Sequence, residues 1–445
     1  MDLPLVIDRT QPLSAQLTAQ LRAAMSEGRV AAGERLPSSR ALAAALGVSR
    51  TVVTEAFEQL YAEGWLEGRH GSGTFVADVT VVPAPARTDE PLPRECGTGI
   101  DLRPGAPGTG LLDGPAWRRA WRLAAALPPG GHRDAYGLPA LREALAEHLR
   151  RSRGLACAPS RIMVTRGITN GLDLLTAALI RPGDRVGIEE PGYVRARAIL
   201  TARRATIVPC PVDEHGLIVE ALPTDLKLIY TTPSHQYPLG GVLPVPRRQA
   251  LITWARRTGA LIVEDDYDGE FRYDVAPLPA LYGLDPDVVV YLGTTAKALT
   301  PDLGVGWLVA RPDMLASVAR KRVNLNDRTS AVPQEATRIL IERGDLDRHV
   351  RRMRADYSRR RDLVVGALAG LPLRGETAGL HLVLLTPGDP EPLIREAAAR
   401  GVLLDSLRRH FHGPQTAYGL VIGYSSTGLA GLRTGCELIR DMASG

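Results

Sequence analysis

Only three of the chain's 54 lysine and arginine residues are lysines, and one of them, Lys297, sits in the stretch GTTAKALTPDLGVGW (293–307). The two cations differ in one reaction that matters: a primary amine condenses with an aldehyde to form a Schiff base, and a guanidinium does not. A sequence that uses arginine nearly everywhere else and keeps lysine here points to carbonyl chemistry at position 297. The residue follows the apolar run VVVYLGT (288–294), which reads as a strand. Lys297 would then stand in the loop at a strand end, where an amine can face a cofactor in a cleft.

Three other stretches carry residues that suit pyridoxal phosphate (PLP) as that aldehyde. Its ring nitrogen needs a carboxylate to stay protonated, and LIVEDDYDGEF (261–271) offers Asp265 at the end of a second strand. Tyr267, two residues on, is the candidate for hydrogen-bonding the ring 3-hydroxyl. Tyr193 in EEPGYVRAR (189–197) is the flat partner for the ring face, and Arg195 could meet an anionic group on an effector. The phosphate needs a helix N-terminus with free N–H groups. VTRGITNGLDLL (164–175) runs strand, glycine turn, helix, which assigns the amides of Ile168 and Thr169 to it.

The elements that would position these residues fall into three zones. Residues 1–78 are short helical patterns ending in a Gly-rich turn, and residues 79–98 carry four prolines without helical or strand period, as suits a linker. From 99 to 445, helical patterns alternate with runs such as RIMVT, RVGIEE, TIVPCPV, LKLIYTT and ALIVEDD. That alternation predicts an α/β domain with a mainly parallel sheet. The runs GLHLVLLTP and YGLVIGYS add a small C-terminal α+β subdomain.

In the first zone Leu13, Leu17, Leu21 and Met25 form one helix face that ends at Gly28. Pro37-Ser38-Ser39 starts a second helix, Gly47 breaks it, and Ser49 caps a third whose Val53, Phe57 and Leu60 face inward. Two helices across a short glycine turn suit DNA reading, with the start of the second in the major groove. That places Ser49, Arg50, Thr51 and Thr54 toward base edges, Arg50 having the fork that reads guanine or clamps phosphate. Arg40 could reach the DNA backbone. RHGSGTFV (69–76) reads as a hairpin wing presenting Arg69, His70 and Gly71 to the duplex.

LPSSRALA, GVSRTVV and GSGTFV closely resemble the winged helix of the GntR family. The later stretches, including YGLPALREALAEHLRRSRG, VTRGITNGLDLL, EEPGYVRAR, TTPSHQYPLG, VEDDYDGEFRYD and YLGTTAKALTPDLGVGW, resemble in order the aminotransferase-like domain of MocR-type regulators. That resemblance implies a GntR head fused to a fold-type I PLP domain, double-stranded operator DNA as partner, and a small-molecule effector such as an amine or amino acid. It also implies a homodimer in which each head packs on the partner's large domain.

The chain departs from the family pattern around the phosphate. The serine before the lysine is Ala296, the usual arginine is Gly304, and the glutamines after the helix-opening glycine are Thr169 and Asn170. An aminotransferase asparagine is Tyr237, and Val421 and Ile422 stand where many aminotransferases hold a carboxylate-binding arginine. Loss of the arginine fork and serine hydroxyl weakens phosphate binding by about 3–5 kcal/mol, at roughly 1.5–3 kcal/mol per charged hydrogen bond. Two alternatives therefore stand beside a PLP-sensing regulator: a regulator whose large domain has lost PLP, and a PLP-dependent aminotransferase carrying a DNA-binding module.

Composition narrows the setting. The net charge is +5, yet residues 1–80 hold seven arginines against nine acids, so DNA binding must rest on placement rather than on total charge. There is no apolar run of membrane-spanning length and no signal-peptide pattern at the start, and the four cysteines form no metal motif. A cytoplasmic protein with reduced thiols is the expectation.

Overall fold

The computed structural model describes residues 5–69, 73–78, 99–128, 130, 134–273, 275–375 and 378–444. They fall into two units, Met1–Cys96 and Gly97–Gly445. The linker expected at 79–98 lies outside the described residues.

In the first unit, helix α1 (Leu13–Ser26) buries Leu17, Leu21 and Met25. Helix α2 (Ser39–Leu46) starts where the Ser38 hydroxyl accepts the Ala41 N–H at 3.2 Å, and it stops at Gly47 in the left-handed region, φ +62°. Helix α3 (Arg50–Ala62) starts where the Ser49 hydroxyl accepts the Val52 N–H at 3.4 Å. Strand β1 (Leu66–Arg69) pairs antiparallel with β2 (Gly73–Val76), and Leu66 and Val76 close a core with Leu42, Val53, Phe57 and Leu60. This is a winged helix.

The second unit opens with β3 (Ile100–Asp101), α4 (Gly114–Ala125), α5 (Pro139–Arg153), β4 (Ile162–Thr165), α6 (Ile168–Leu179), β5 (Arg185–Glu190), α7 (Val194–Ala202), β6 (Thr206–Asp213) and β7 (Gly216–Leu217). It continues with β8 (Leu228–Thr231), α8 (Val245–Thr258), β9 (Leu261–Asp266), β10 (Val289–Thr294), β11 (Gly306–Val309), α9 (Pro312–Asn324) and α10 (Ala331–Glu342). The eight-stranded sheet has the order β4-β11-β10-β9-β8-β5-β6-β7. Its centre is parallel, from β10 through β9, β8 and β5 to β6. Strand β11 runs antiparallel to both its neighbours, so the sheet is mixed at that edge.

Strand alternation sends side chains to two helical layers. Ile162, Ile229, Ile262 and Tyr291 join one core with Leu141 and Leu145 of α5 and Leu340 of α10. Met163, Leu228, Val263 and Leu292 join the other with Leu172 of α6, Leu200 of α7 and Leu315 of α9.

The last elements are α11 (Asp345–Ala367), β12 (Leu373–Arg374), β13 (His381–Thr386), α12 (Glu391–Ala399), β14 (Val402–Leu403), β15 (Asp405–Ser406), β16 (Tyr418–Gly423) and α13 (Leu429–Ser444). A four-stranded antiparallel sheet, β12-β13-β16-β15, and these helices form the expected C-terminal α+β subdomain. It also recruits the start of the unit: β3 pairs with β14, and Leu102 is buried in its core. The sequence showed no sign of that recruitment, because a two-residue strand carries no period.

Candidate functional site

The stretch Glu264-Asp265-Asp266 ends β9, and alternation gives its three acids different surroundings. Glu264 accepts the Leu281 and Tyr282 N–H groups at 2.8 and 2.9 Å. Asp266 turns to the α5 layer, where buried Arg153 grips both its oxygens, Nε to Oδ2 at 2.6 Å and a terminal guanidinium nitrogen to Oδ1 at 2.7 Å. Asp265 turns the other way, to the α6 and α7 layer. Its Oδ2 accepts the Tyr230 hydroxyl, while its Oδ1 is buried without a partner. Burial pushes this carboxyl up to about 8 against the pull of the Tyr230 hydrogen bond, with Asp266, Asp268 and Glu189 adding to the rise.

An unpartnered buried carboxylate oxygen is costly unless a donor or cation meets it. A protonated pyridine nitrogen supplies both, so Asp265 fits the ring end of PLP.

Lys297 stands in the turn after β10, the strand beside β9, with Leu292 opposite Asp265 in register. Its Nζ donates to the Gly105 carbonyl. Burial lowers the amine's pKa; Asp268 and Asp265 oppose that, and Arg195 adds to it. A lowered pKa leaves more of the amine in its nucleophilic, unprotonated form.

Helix α6 begins at Gly167, φ +116°, with no side-chain cap, so the Ile168 and Thr169 N–H groups head an open N-terminus. The Thr169 side chain hydrogen-bonds the Tyr193 hydroxyl, whose pKa burial raises most, the Asp265 charge adding to that. Tyr193 packs edge-on against Tyr237 at 5.6 Å between ring centres. Arg195 is exposed, and its charge reaches Lys297, Tyr193 and Tyr237.

Ala296 brings no hydroxyl to this corner, and Gly304 is left-handed, φ +58°, with open space where a Cβ would stand. Asn170 is taken up locally, accepting the Arg166 N–H at 3.0 Å and donating to Asp327 at 3.2 Å. The Thr294 hydroxyl lies 3.8 Å from where a Cβ on Gly167 would be, and it accepts the Ala296 N–H at 3.0 Å. It is therefore one hydroxyl at hand beside the helix N-terminus, with those of Thr169 on its first turn and Thr165, which donates to the Gly167 carbonyl at 3.0 Å.

The structure thus brings Lys297, Asp265, Tyr193, Thr169 and Arg195 within reach of one another. Tyr267 joins them beyond the end of β9, its hydroxyl 2.9 Å from His235 Nδ1. Sequence reasoning missed Thr294, Tyr230, His235, Asp268 and Gly105. The first four lie in or beside quoted stretches, but only the folded chain shows which way each side chain turns. His381 is buried and bonds the Pro238 carbonyl through Nε2 at 3.0 Å, as a satisfied core histidine does.

In the winged helix, Arg40, Arg50 and Thr51 are exposed at the starts of α2 and α3. Arg50 Nε donates to the Ser39 hydroxyl at 3.3 Å, and the Thr54 hydroxyl donates to the Arg50 carbonyl at 3.0 Å. The Ser49 hydroxyl serves as the α3 cap. Arg69 ends β1, and His70 and Gly71 lie outside the described residues. Arg35 was missed: its Nε lies 2.9 Å from where a Cβ on Gly73 would stand, at the base of the wing.

A winged helix followed by a fold-type I aminotransferase body defines a class of transcriptional regulators. Residues 13–76 match the model for bacterial regulatory proteins of the gntR family, and residues 119–412 match aminotransferase class I and II. The chain belongs to that combined family, the MocR-type HTH regulators. It is 39% identical over 435 residues to the HTH-type pyridoxine biosynthesis transcriptional regulator PdxR of Corynebacterium glutamicum, covering 96% of this chain and 95% of PdxR. It is 35% identical over 473 residues to the "Probable rhizopine catabolism regulatory protein MocR" of Rhizobium meliloti, covering 98% of this chain and 95% of that one. Among solved structures, an archaeal alanine:glyoxylate aminotransferase matches with TM-score 0.74 and 25% identity, over 78% of this chain and 91% of that one. Among the described residues no helix is long and apolar enough to cross a membrane.

Proposed function

We propose that this HTH-type regulator holds PLP covalently on Lys297 and that the state of that site governs operator binding by the winged helix. The observation that carries the reading is the buried, unpartnered Oδ1 of Asp265, on a carboxyl whose charge reaches the Lys297 amine. Asp265 would hold the ring nitrogen, Tyr267 the 3-oxygen and Tyr193 the ring face. The Ile168 and Thr169 amides and the Thr294 hydroxyl would hold the phosphate. When bound, PLP supplies an electrophilic carbon and a protonated ring that withdraws electrons.

Arg195 is the cation left to meet an anionic effector, an amine or amino acid. Strand β16 offers none, since Val421 is buried in an apolar cluster with Val383, Leu407 and Phe411. That apolar wall favours a second reading, in which PLP itself is the signal. The name of PdxR makes vitamin B6 supply the first process to examine for regulated genes. In the winged helix, Arg40, Arg50, Thr51, Thr54 and the wing would contact DNA. A cytoplasmic homodimer, head to tail, would present two such heads to two half-sites.

The absorption spectrum of the purified protein, with and without added PLP, tests the reading. A visible band lost in Lys297→Ala is expected, and wild-type protein that stays colourless with PLP sinks it. Multiple transamination turnovers that vanish in Lys297→Ala would replace the regulator reading of this site with an enzyme.

A further inference from the structure

Gly304 brings no positive charge to a phosphate at the head of α6, but a cluster beside the first turn of that helix holds one. Arg166 directly precedes Gly167, and three hydrogen bonds close a ring around it. Its backbone N–H donates to Asn170 Oδ1 at 3.0 Å, Asn170 Nδ2 donates to Asp327 Oδ2 at 3.2 Å, and Arg166 Nη2 donates to that same oxygen. Asp327 lies in the link between α9 and α10 and has a second arginine. Arg322 Nε donates to its Oδ1 at 3.1 Å, while Arg322 Nη1 donates to the Ala135 and Val164 carbonyls at 2.9 and 2.6 Å.

Two arginines share one carboxylate, so the cluster carries one net positive charge. The nearby acids do not cancel it. Asp134, whose charge also reaches Arg322, is paired with Arg142 at 3.1 Å, and Asp173 on α6 is paired with Arg203 at 2.6 Å. The Arg322 side chain is 3% exposed and that of Arg166 54%, so Arg322 is the cation that the buried Asp327 requires. Burial lowers the Arg322 pKa; Asp327 opposes that and Arg166 adds to it, so the two cations feel each other. The surplus charge is therefore that of Arg166, one residue from a helix N-terminus that already favours an anion.

We propose that Arg166, fastened by Asp327 to the first turn of α6, supplies toward bound phosphate the positive charge that Gly304 does not. The proposal rests on the PLP reading above and names what lets the site discriminate for the phosphate-bearing form of the aldehyde. Arg166 acts through its charge, whereas Asp327 both places that charge and reduces it. The two residues therefore have opposite effects on phosphate affinity, which a purely structural anchor of the helix would not give.

The test is titration of the full-length protein with PLP and with pyridoxal, which lacks the phosphate, read by the visible band at one pH and ionic strength. Arg166→Gln should weaken PLP about three- to ten-fold, the size of one half-exposed charge acting on a dianion through a largely aqueous medium. Pyridoxal affinity should not move. Arg166→Lys keeps the charge and should keep PLP affinity near that of wild type. Asp327→Asn, which has the same shape and can still accept from both arginines, should strengthen PLP and leave pyridoxal unchanged. An Asp327→Asn protein that binds PLP more weakly overturns the proposal, as does Arg166→Lys behaving like Arg166→Gln. Equal losses of PLP and pyridoxal affinity in Arg166→Gln also overturn it. Wild-type protein that shows no band with either aldehyde refutes the PLP reading and this role with it, whereas bands with both and an unmoved affinity ratio in the variants refute this role alone.

Discussion

Asp265 makes the PLP-free protein sensitive to pH in a direction opposite to that of most buried, ion-paired acids. Its carboxyl is pushed from 3.8 up to about 8. Between those values the folded chain holds a proton that the unfolded chain has released, so stability falls as pH rises. The slope is about 1.4 kcal/mol per pH unit, giving about 2.7 kcal/mol between pH 5 and pH 7. At about 2 °C per kcal/mol for a unit of this size, melting should drop by roughly 5 °C over that interval. Glu264 and Glu270, both pushed up to about 7 foremost by burial, contribute a fall of the same sign. The comparison that isolates Asp265 is therefore wild type against Asp265→Asn, both stripped of PLP with hydroxylamine and melted at pH 5, 6 and 7 in one ionic strength. The wild-type curve should fall more steeply by that margin, and PLP should level it by pairing a cation with Oδ1. Parallel curves for the two proteins would mean that Asp265 ionises at its ordinary value, and the argument for its role at the ring nitrogen would be lost.

Arg50→Ala and Arg40→Ala should each weaken binding to a selected operator duplex in fluorescence anisotropy, with unchanged circular dichroism, since both side chains are exposed. An arginine that contacts phosphate should also lower the log–log salt slope by about one. Gly379→Ala places a Cβ 2.1 Å from His235 Cε1 at φ +83°. It should cost about 1–3 kcal/mol in melting of the large unit and displace the His235 ring. Leu60→Ala, at a fully buried position of the winged-helix core, should cost about 2–5 kcal/mol there and abolish operator binding while the PLP band survives.

The winged helix was legible because its signals are local: leucines four apart on α1, serine caps before α2 and α3, and a glycine between them. Strands β4, β5, β6, β8, β9, β10, β13 and β16 of the large unit were legible within a residue or two from their apolar runs, whereas β11 and the two-residue strands were not read. Three acids in a row at the end of β9 were not separable by type. Alternation distinguishes Asp265 from Asp266 only once the partner layers are known, with Arg153 on one side and Tyr230 on the other. The contact between His235 and Asp268 was illegible because they are 33 residues apart and meet only in the fold. Loss of the phosphate ligands at positions 296 and 304 was visible, whereas Thr294 as a neighbouring hydroxyl needed the position of Gly167.

Strand β3 has a consequence out of proportion to its two residues. It ties the first described stretch after residue 98 to the C-terminal subdomain, where β3 pairs with β14 and Leu102 joins the core. Ile100 and Leu102 donate to Gly401 and Leu403, Gly423 donates back to Leu102, and Gly108 donates to the Tyr357 hydroxyl on α11. The Gly105 carbonyl in the same stretch receives the Lys297 amine. Residues 100–108 are therefore one short stretch of backbone held at one end by the C-terminal subdomain and touched in its middle by the amine of the loop after β10, so a substitution that loosens β3 reaches Lys297 as well.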